Sequence, residues 1–356
     1  MTNWMIYGAS GYTGMLAAEE AVRRGHRPIL AGRSAEKLKP IAERLGLKVR
    51  AFPLDDVEAV AHNLDGMQAV YHAAGPFIHT SLPMLKACLQ AKVHYLDITG
   101  EYPVFEQTFD HDAAAREAGV ALISGVGFDV IPTDSLAKYV AEQVPQADTL
   151  DIAFAAISRA SAGTTKSMLE LMPQGGRVRR HGVLQTYRLG RGARRIRFSD
   201  RWRDTLPIPW GDVSTAYRTT GIPNITTYMA YPAAMIWGLE IAATMTDVTR
   251  WLAHEGLRRG LTRLVDRFVE GPDNDLRTAG RSYIWAKAAD ARGHYAQAWM
   301  EVAEGYAFTA LAAPLVVERL LANPVTGATT PALAFGADFV LEIPGSVRLD
   351  SLPSEN

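Results

Sequence analysis

One cysteine, Cys88, is all that the 356 residues contain. That excludes an intramolecular disulfide and fits a reducing, cytoplasmic setting. Cys88 stands in an apolar helical pattern with Leu85 and Leu89, which suits a buried thiol better than a nucleophile. No run of about 20 apolar residues occurs, so no transmembrane helix is expected. The N-terminus enters a strand directly, without a basic-then-apolar leader. Net charge is only −1, so bulk electrostatics give no reason to expect a nucleic-acid partner. The nine histidines show no ligand spacing, and no metal site is expected.

What the chain does have is a glycine turn near its start. Trp4-Met-Ile-Tyr-Gly8-Ala-Ser10-Gly11-Tyr12-Thr13-Gly14 is an apolar run that breaks into three glycines spaced G-x-x-G-x-x-G, followed at once by a helical stretch. Strand, glycine turn and helix in that order set backbone N–H groups and a helix N-terminus against a pyrophosphate. Gly8 permits the tight turn, Gly11 admits phosphate to the backbone, and Gly14 lets the helix pack on the strand. The expected cofactor contacts here are Gly8, Ser10, Gly11, Tyr12, Thr13 and Gly14.

The second strand selects the cofactor. NAD sites place Asp or Glu at its end for the ribose 2′-hydroxyl. Here Arg27-Pro-Ile-Leu-Ala-Gly32 runs into Arg33 and Ser34, and no acid is present. A guanidinium can grip a 2′-phosphate bidentately, Ser34 can cap the next helix, and Lys37 adds charge one turn on. The expected cofactor is NADP.

At 356 residues two domains are expected. Residues 1–131 alternate strand and helix patterns, with strands at 3–8, 27–32, 47–54, 68–74, 93–98 and 120–125. That predicts an α/β fold: an N-terminal Rossmann domain with a doubly wound parallel sheet. Residues 132–343 switch to short alternating strands near 149–157, 177–189, 193–199, 281–290 and 294–303. Helices are expected at 233–246, 248–269 and 305–322. The spacing predicts a second, α+β domain on a mixed or antiparallel sheet, carrying substrate contacts and a homodimer surface, with the 305–322 helix able to pack back on the first. Gly190-Arg191-Gly192 and Arg292-Gly293 read as hairpin turns, and residues 344–356 as a frayed tail.

Gly-Ala-Ser-Gly-Tyr-Thr-Gly at 8–14, Ala-Gly-Arg-Ser at 31–34, Ala-Gly-Pro-Phe at 74–77, Tyr-Leu-Asp-Ile-Thr-Gly-Glu at 95–101 and Gly-Val-Gly-Phe-Asp-Val-Ile-Pro-Thr-Asp at 125–134 belong together. The set resembles the saccharopine dehydrogenase-like oxidoreductases, including the bacterial branch called trans-acting enoyl reductases. The resemblance is strong over the first 135 residues and looser beyond. It implies an NADP-binding Rossmann domain, a mixed α/β domain, and reduction of a C=N or C=C bond on a small-molecule substrate.

In doubly wound sheets the ligand lies beyond the carboxyl ends of the strands. Ala74, Gly75 and Pro76 follow the fourth strand, Asp97 to Glu101 the fifth, and Gly127, Phe128 and Asp129 the sixth, so these loops are expected around the nicotinamide. A reductase also needs a proton donor. Asp97, Glu101, Tyr102, Asp129 and Asp134 are candidates, because burial can raise a carboxylic acid until it donates near neutrality. The same acids suit helix capping. Lys166, in Ser161-Ala-Gly-Thr-Thr-Lys166-Ser167, could orient a substrate carbonyl or carboxylate, or simply mark an ordinary helix start.

Tyr283-Ile-Trp-Ala-Lys287 matches a Y-x-x-x-K motif, but that pair works on a helix, and this segment reads as a strand. Arg177 to Arg203 holds ten arginines and one acid, Asp200. It reads as a solvated face or subunit contact, or as a handle for an anionic, carrier-linked substrate; nucleic acid is the weakest reading. The charge-free stretch 219–239, rich in Tyr, Met and Trp, fits a core, a dimer interface or an apolar substrate pocket. A non-catalytic NADP-binding sensor or scaffold is the reading from another class.

Overall fold

The computed structural model describes residues 3–156, 161–245, 256, 260–262, 264–265 and 273–352. The chain divides into two compact units: Met1–Asp129 with Tyr306–Phe335, and Val130–Gly305 with Gly336–Asn356.

The first unit is built on seven parallel strands: β1 (Trp4–Tyr7), β2 (Ile29–Gly32), β3 (Val49–Ala51), β4 (Ala69–His72), β5 (His94–Asp97), β6 (Ala121–Ile123) and β15 (Gly327–Thr329). Their order is β15-β6-β5-β4-β1-β2-β3, so the winding reverses between β1 and β4. Strands β1, β2 and β6 are continuous apolar runs, as expected where helices cover both faces of a sheet. All four residues of β1 are buried, and Met5 pairs with both Ile29 and Val70. Helix α1 (Tyr12–Arg23) buries Leu16, Ala17, Ala18 and Ala21. Ser34 caps α2 (Ala35–Leu45), which ends at left-handed Gly46, and Asp56 caps α3 (Val57–Asn63). Next come α4 (Phe77–Ala91), α5 (Tyr102–Phe109) and α6 (Asp112–Ala118). Cys88 is fully buried in the core with Met5, Val70 and Leu85, and burial pushes its thiol up.

A continuous second domain over 132–343 is not what forms. The helix Gly305–Ala322 and β15 return to the first unit, where β15 adds to β6 in parallel. That helix has the length and apolarity to cross a membrane, yet 56% of it is buried inside the protein, as in a core helix.

The second unit holds a nine-stranded mixed sheet: β7 (Thr149–Ala156), β8 (Gly176–Arg180), β9 (Val183–Tyr187), β10 (Arg194–Arg197), β11 (Trp202–Pro207), β12 (Asn224–Ala230), β13 (Arg281–Ala289), β14 (Tyr295–Ala303) and β16 (Val347–Leu349). Its path is β10-β11-β12-β7-β13-β14-β16, with β8 bonded to β12 and β9. Only β12 and β7 run parallel. Helices α7 (Ile131–Gln143), α8 (Ala162–Leu171), α9 (Asp212–Thr220) and Ala233–Met245 accompany it.

Three expectations are corrected here. The segment 177–189 is two strands, not one: the turn is His181-Gly182, both at positive φ (50° and 78°), as a two-residue hairpin of the primed type requires. Gly190-Arg191-Gly192 joins no hairpin, since β10 pairs with β11. The 344–356 tail is not wholly frayed, because β16 pairs with β14. The Arg292-Gly293 turn does form, held by Asp290, whose Oδ1 accepts from the N–H of Arg292 and of His294 at 2.9 Å each. The helix expected over 248–269 lies largely outside the described residues.

Candidate active site

The glycine turn is shaped by what each position excludes. Gly8 has φ +92°, and a Cβ there would stand 2.7 Å from the Ala73 carbonyl carbon at the end of β4. A Cβ on Gly14 would collide with the Gly8 oxygen. Both glycines are therefore required by packing inside the fold. Gly11 differs: its Cβ would meet only the Gly8 oxygen, at 3.2 Å, so the space on its outer side is open. Gly11 is also the N-cap of α1, with no side-chain cap and no acid in the first turn. The N-termini of α2 and α3 are capped by Ser34 and Asp56, whereas that of α1 carries no side-chain cap. Ser10, Tyr12 and Thr13 sit on this same turn, with Ser10 exposed and the other two half-buried.

At the end of β2, Ser34 Oγ accepts from the Lys37 N–H at 3.4 Å. Arg33 and Lys37 are exposed. Among the described residues no ion pair holds Arg33. It lies near enough to Tyr7 that its charge opposes the burial which pushes that phenol up to about 12. Arg33 thus stands beside the carboxyl end of β1.

The loops after β4, β5 and β6 are tied together. Both Glu101 oxygens accept from the start of α4: Oε1 from Phe77 N–H at 2.9 Å and Oε2 from Ile78 N–H at 2.8 Å. This clamps Ala74-Gly75-Pro76 from beyond, while Thr80 Oγ1 donates to the Ala74 carbonyl at 2.7 Å. Asp97 is fully buried and accepts four bonds, from Tyr95 OH (2.8 Å), Ser124 Oγ (2.7 Å) and the N–H groups of Thr99 and Gly125 (3.0 Å each). Burial raises its carboxyl to about 6, and those bonds resist the rise. Four donors satisfy a carboxylate, so Asp97 fixes the fifth and sixth loops and has no face left for a substrate. Glu101, spent on a helix N-terminus, is a positioning group in the same sense.

Asp129 is different. It is partly exposed at the end of the sixth loop. Burial, and next the charge of Glu101, raise its carboxyl to about 7. Of Asp97, Glu101 and Asp129, it alone combines access with a carboxyl raised to neutral pH.

The helix Gly305–Ala322, which the sequence allowed to pack back on the first domain, supports these loops through contacts that the sequence did not mark. Phe128 N–H donates to Thr309 Oγ1 at 3.0 Å, and the rings of Phe128 and Phe308 meet edge-on at 6.3 Å. Thr309 Cγ2 would stand 3.0 Å from a Cβ on Gly127. Tyr306 packs edge-on against Tyr12 at 5.1 Å. One helix thus holds both the first and the sixth loop, from about 180 to 290 residues away in sequence.

With this geometry stands a match over residues 4–123 to the family described as Saccharopine dehydrogenase NADP binding domain. Over 138 residues the chain is 35% identical to a trans-acting enoyl reductase of Mycobacterium bovis, covering 36% of this chain and 33% of that protein. It is 32% identical to one of Mycobacterium ulcerans over the same length and the same shares. The chain spans less than half the length of the curated relatives it matches. In fold it is similar to apo saccharopine dehydrogenase (L-Glu forming) from Saccharomyces cerevisiae: TM-score 0.64, 12% identity, 96% of each chain covered.

The other candidates lie in the second unit. Lys166 is half-buried on α8, whose start is ordered by Ser161 Oγ accepting from Thr164 N–H at 3.3 Å. Asp134 is fully buried on α7 and accepts from Thr219 Oγ1 at 2.6 Å, which ties α7 to α9. Tyr283 and Lys287 lie on a strand, β13, so the Y-x-x-x-K match carries no catalytic pair.

The arginine segment is mostly not a solvated face. Arg179 is buried, donating to Val213 O at 2.6 Å and Gly182 O at 2.7 Å with Tyr217 under its guanidinium. Arg180 donates to Thr226 Oγ1, Arg194 to Asp151 at 2.5 Å, and Arg203 grips Asp200. These arginines bond elements within the unit. Among the described residues no cluster of His, Cys, Asp and Glu could hold a metal.

Proposed function

We propose that the chain is an NADPH-dependent reductase of an activated C=N or C=C bond. The observation that carries this reading is the uncapped, open-sided Gly11 turn at the switch point of the NADP-binding domain, with Asp129 on the same edge. NADPH, when bound, supplies the hydride. The N-terminus of α1 and the N–H groups around Ser10, Tyr12 and Thr13 would hold the pyrophosphate, while Gly11, whose own N–H donates to the Gly8 carbonyl, would keep the backbone open to it. Arg33, Ser34 and Lys37 would hold the 2′-phosphate. Ala74, Gly75, Pro76, Gly127 and Phe128 would border the nicotinamide and exclude water. Asp129 would keep a proton for the substrate near neutral pH, while Glu101 and Asp97 fix its loop. Lys166 is assigned to orienting a substrate carbonyl or carboxylate. The names of the mycobacterial relatives support an enoyl group on an apolar or carrier-linked substrate. A cytoplasmic homodimer is the state we assign.

The test combines binding and turnover. Arg33→Ala should weaken NADPH by about ten- to a hundredfold, the worth of a charge-assisted contact, and leave NADH unchanged. Equal losses in a fluorescence titration would remove Arg33 from the site. NADPH consumption with an enoyl thioester or a cyclic imine should exceed that with a charged keto-acid and amine pair. Binding with no turnover on any of these would favour a sensor.

A further inference from the structure

The sixth loop carries Asp129, and its two halves are held by different residues. At its start the Gly125 N–H donates to Asp97 Oδ1 at 3.0 Å, and the Val126 N–H to the Asp97 carbonyl at 2.7 Å. Asp97 thus anchors the loop where it leaves β6. The anchor beside Asp129 is Thr309, whose Oγ1 accepts from the Phe128 N–H at 3.0 Å.

Thr309 stands out in its own helix. Gly305–Ala322 is mostly alanine, leucine and valine, and Thr309 is buried within it. Threonine loses rotamer freedom in a helix, and a buried hydroxyl is costly without a partner. Valine would fill the same volume, so packing alone does not call for threonine here. The hydroxyl supplies the acceptor for Phe128. Facing it is Gly127, where a Cβ would stand 3.0 Å from Thr309 Cγ2 and 3.2 Å from its Oγ1. Gly127 is not at positive φ, so its missing side chain serves close approach rather than a turn. The Thr309 carbonyl is engaged as well, accepting from the fully buried Tyr71 OH at 3.5 Å. Thr309 therefore ties β4, its helix and the sixth loop at one point.

We infer that Thr309 is a positioning residue for the proton donor: its bond to Phe128, across the cradle left by Gly127, fixes where the Asp129 carboxyl stands. The inference rests on the reading of Asp129 as that donor. It makes the placement of the acid depend on a hydroxyl 181 residues from Phe128 in sequence, acting through the backbone. Asp129 faces Glu101 from the fifth loop and the Tyr71 phenol from β4. A shift of its loop therefore changes both its exposure to water and its distance from a like charge.

Thr309→Val keeps the shape and removes the acceptor, whereas Thr309→Ser keeps the acceptor and gives up the methyl. With NADPH and an enoyl thioester or cyclic imine that the wild type reduces, Thr309→Val should lower kcat about tenfold, because a displaced acid transfers its proton less well. KM should change by less than about twofold, and Thr309→Ser should recover most of the lost kcat. A second readout needs no substrate. The Asp129 carboxyl carbon, assigned by its absence from Asp129→Asn, is titrated by carbon-13 magnetic resonance in the full chain labelled at aspartate. In Thr309→Val it should titrate lower than in the wild type, by about 0.5 to 1 in pH, since a loosened loop admits water to the carboxylate. In Thr309→Ser it should titrate as in the wild type. Circular dichroism checks the fold. Should Thr309→Val fail to fold, Thr309→Ala, which leaves room for a water on the Phe128 N–H, takes its place. Wild-type kcat and a wild-type Asp129 titration without the hydroxyl would overturn the inference and leave Asp129 as the donor. Equal losses in the valine and serine variants would overturn it too. Full turnover in Asp129→Asn would strike the donor itself, and the inference with it.

Discussion

Gly11→Val is expected to abolish NADPH binding while leaving the fold nearly as stable as before. The space beside Gly11 is limited only by the Gly8 oxygen, at 3.2 Å from an added Cβ, so the chain can absorb the first atom with a shift of a few tenths of an ångström. The branched methyls would then occupy the open side where a pyrophosphate needs the backbone. Affinity should fall by about two orders of magnitude or more, since the phosphates lose both helix N-terminus and backbone donors. Gly14→Val is the contrasting case. Its Cβ collides with the Gly8 oxygen, so it should unfold the first unit rather than spare it. Thermal melts beside a fluorescence titration separate the two. A Gly11→Val protein that binds NADPH as the wild type does would remove the turn from the cofactor site.

Asp129→Asn is expected to have opposite effects on activity and stability. As the proposed proton donor, Asp129 should contribute about 10²- to 10⁴-fold to turnover, and the amide cannot replace it. Wild-type turnover should also fall as pH rises through about 7, where the carboxyl loses its proton. Stability runs the other way. Asp129 binds its proton more tightly folded, at about 7, than at the ordinary value of 3.8. Between those values the folded state holds a proton that the unfolded chain has released. Stability is therefore lost as pH rises from about 4 to 7. Removing the charge relieves a penalty of at most about 4 kcal/mol at pH 8, at about 1.36 kcal/mol for each pH unit. Asp129→Asn should thus melt higher than wild type at pH 8 and about equally at pH 4. An inactive variant that is also less stable at pH 8 would make Asp129 a structural acid.

The first half of the fold was readable because its signals are local. Apolar runs, caps such as Ser34, and the three glycines each act within a few residues, so β1, α1 and β2 could be placed from their own segments. The sequence also marked the loops that carry Asp97, Glu101 and Asp129. It could not sort those acids, because what separates them is contact across loops: four donors on Asp97, a helix N-terminus on Glu101, partial access on Asp129. That the helix Gly305–Ala322 could pack back was legible, but the loops it would hold and the return of β15 were hidden for a related reason. Periodicity reports that a helix has an apolar face, not which sheet that face covers. A three-residue strand, Gly-Ala-Thr at 327–329, leaves no periodic trace at all. In the second unit, His181 occupies a left-handed turn position where glycine or asparagine is usual, so the real hairpin went unmarked and the glycines at 190 and 192 drew the prediction instead. Buried arginines misled similarly. Arg179 is hydrophobic in its surroundings and cationic in its composition, and only its carbonyl partners show which matters.

The most direct measurement is a titration of the wild-type chain with NADPH and with NADH, read by transfer from protein tryptophan to the bound nicotinamide. Saturable binding is expected with both, tighter for NADPH by about tenfold or more, with the preference shrinking as salt screens the exposed Arg33. Equal affinity for the two cofactors would contradict the assignment of the β2 end to the 2′-phosphate, and no saturable binding of either would contradict the account as a whole.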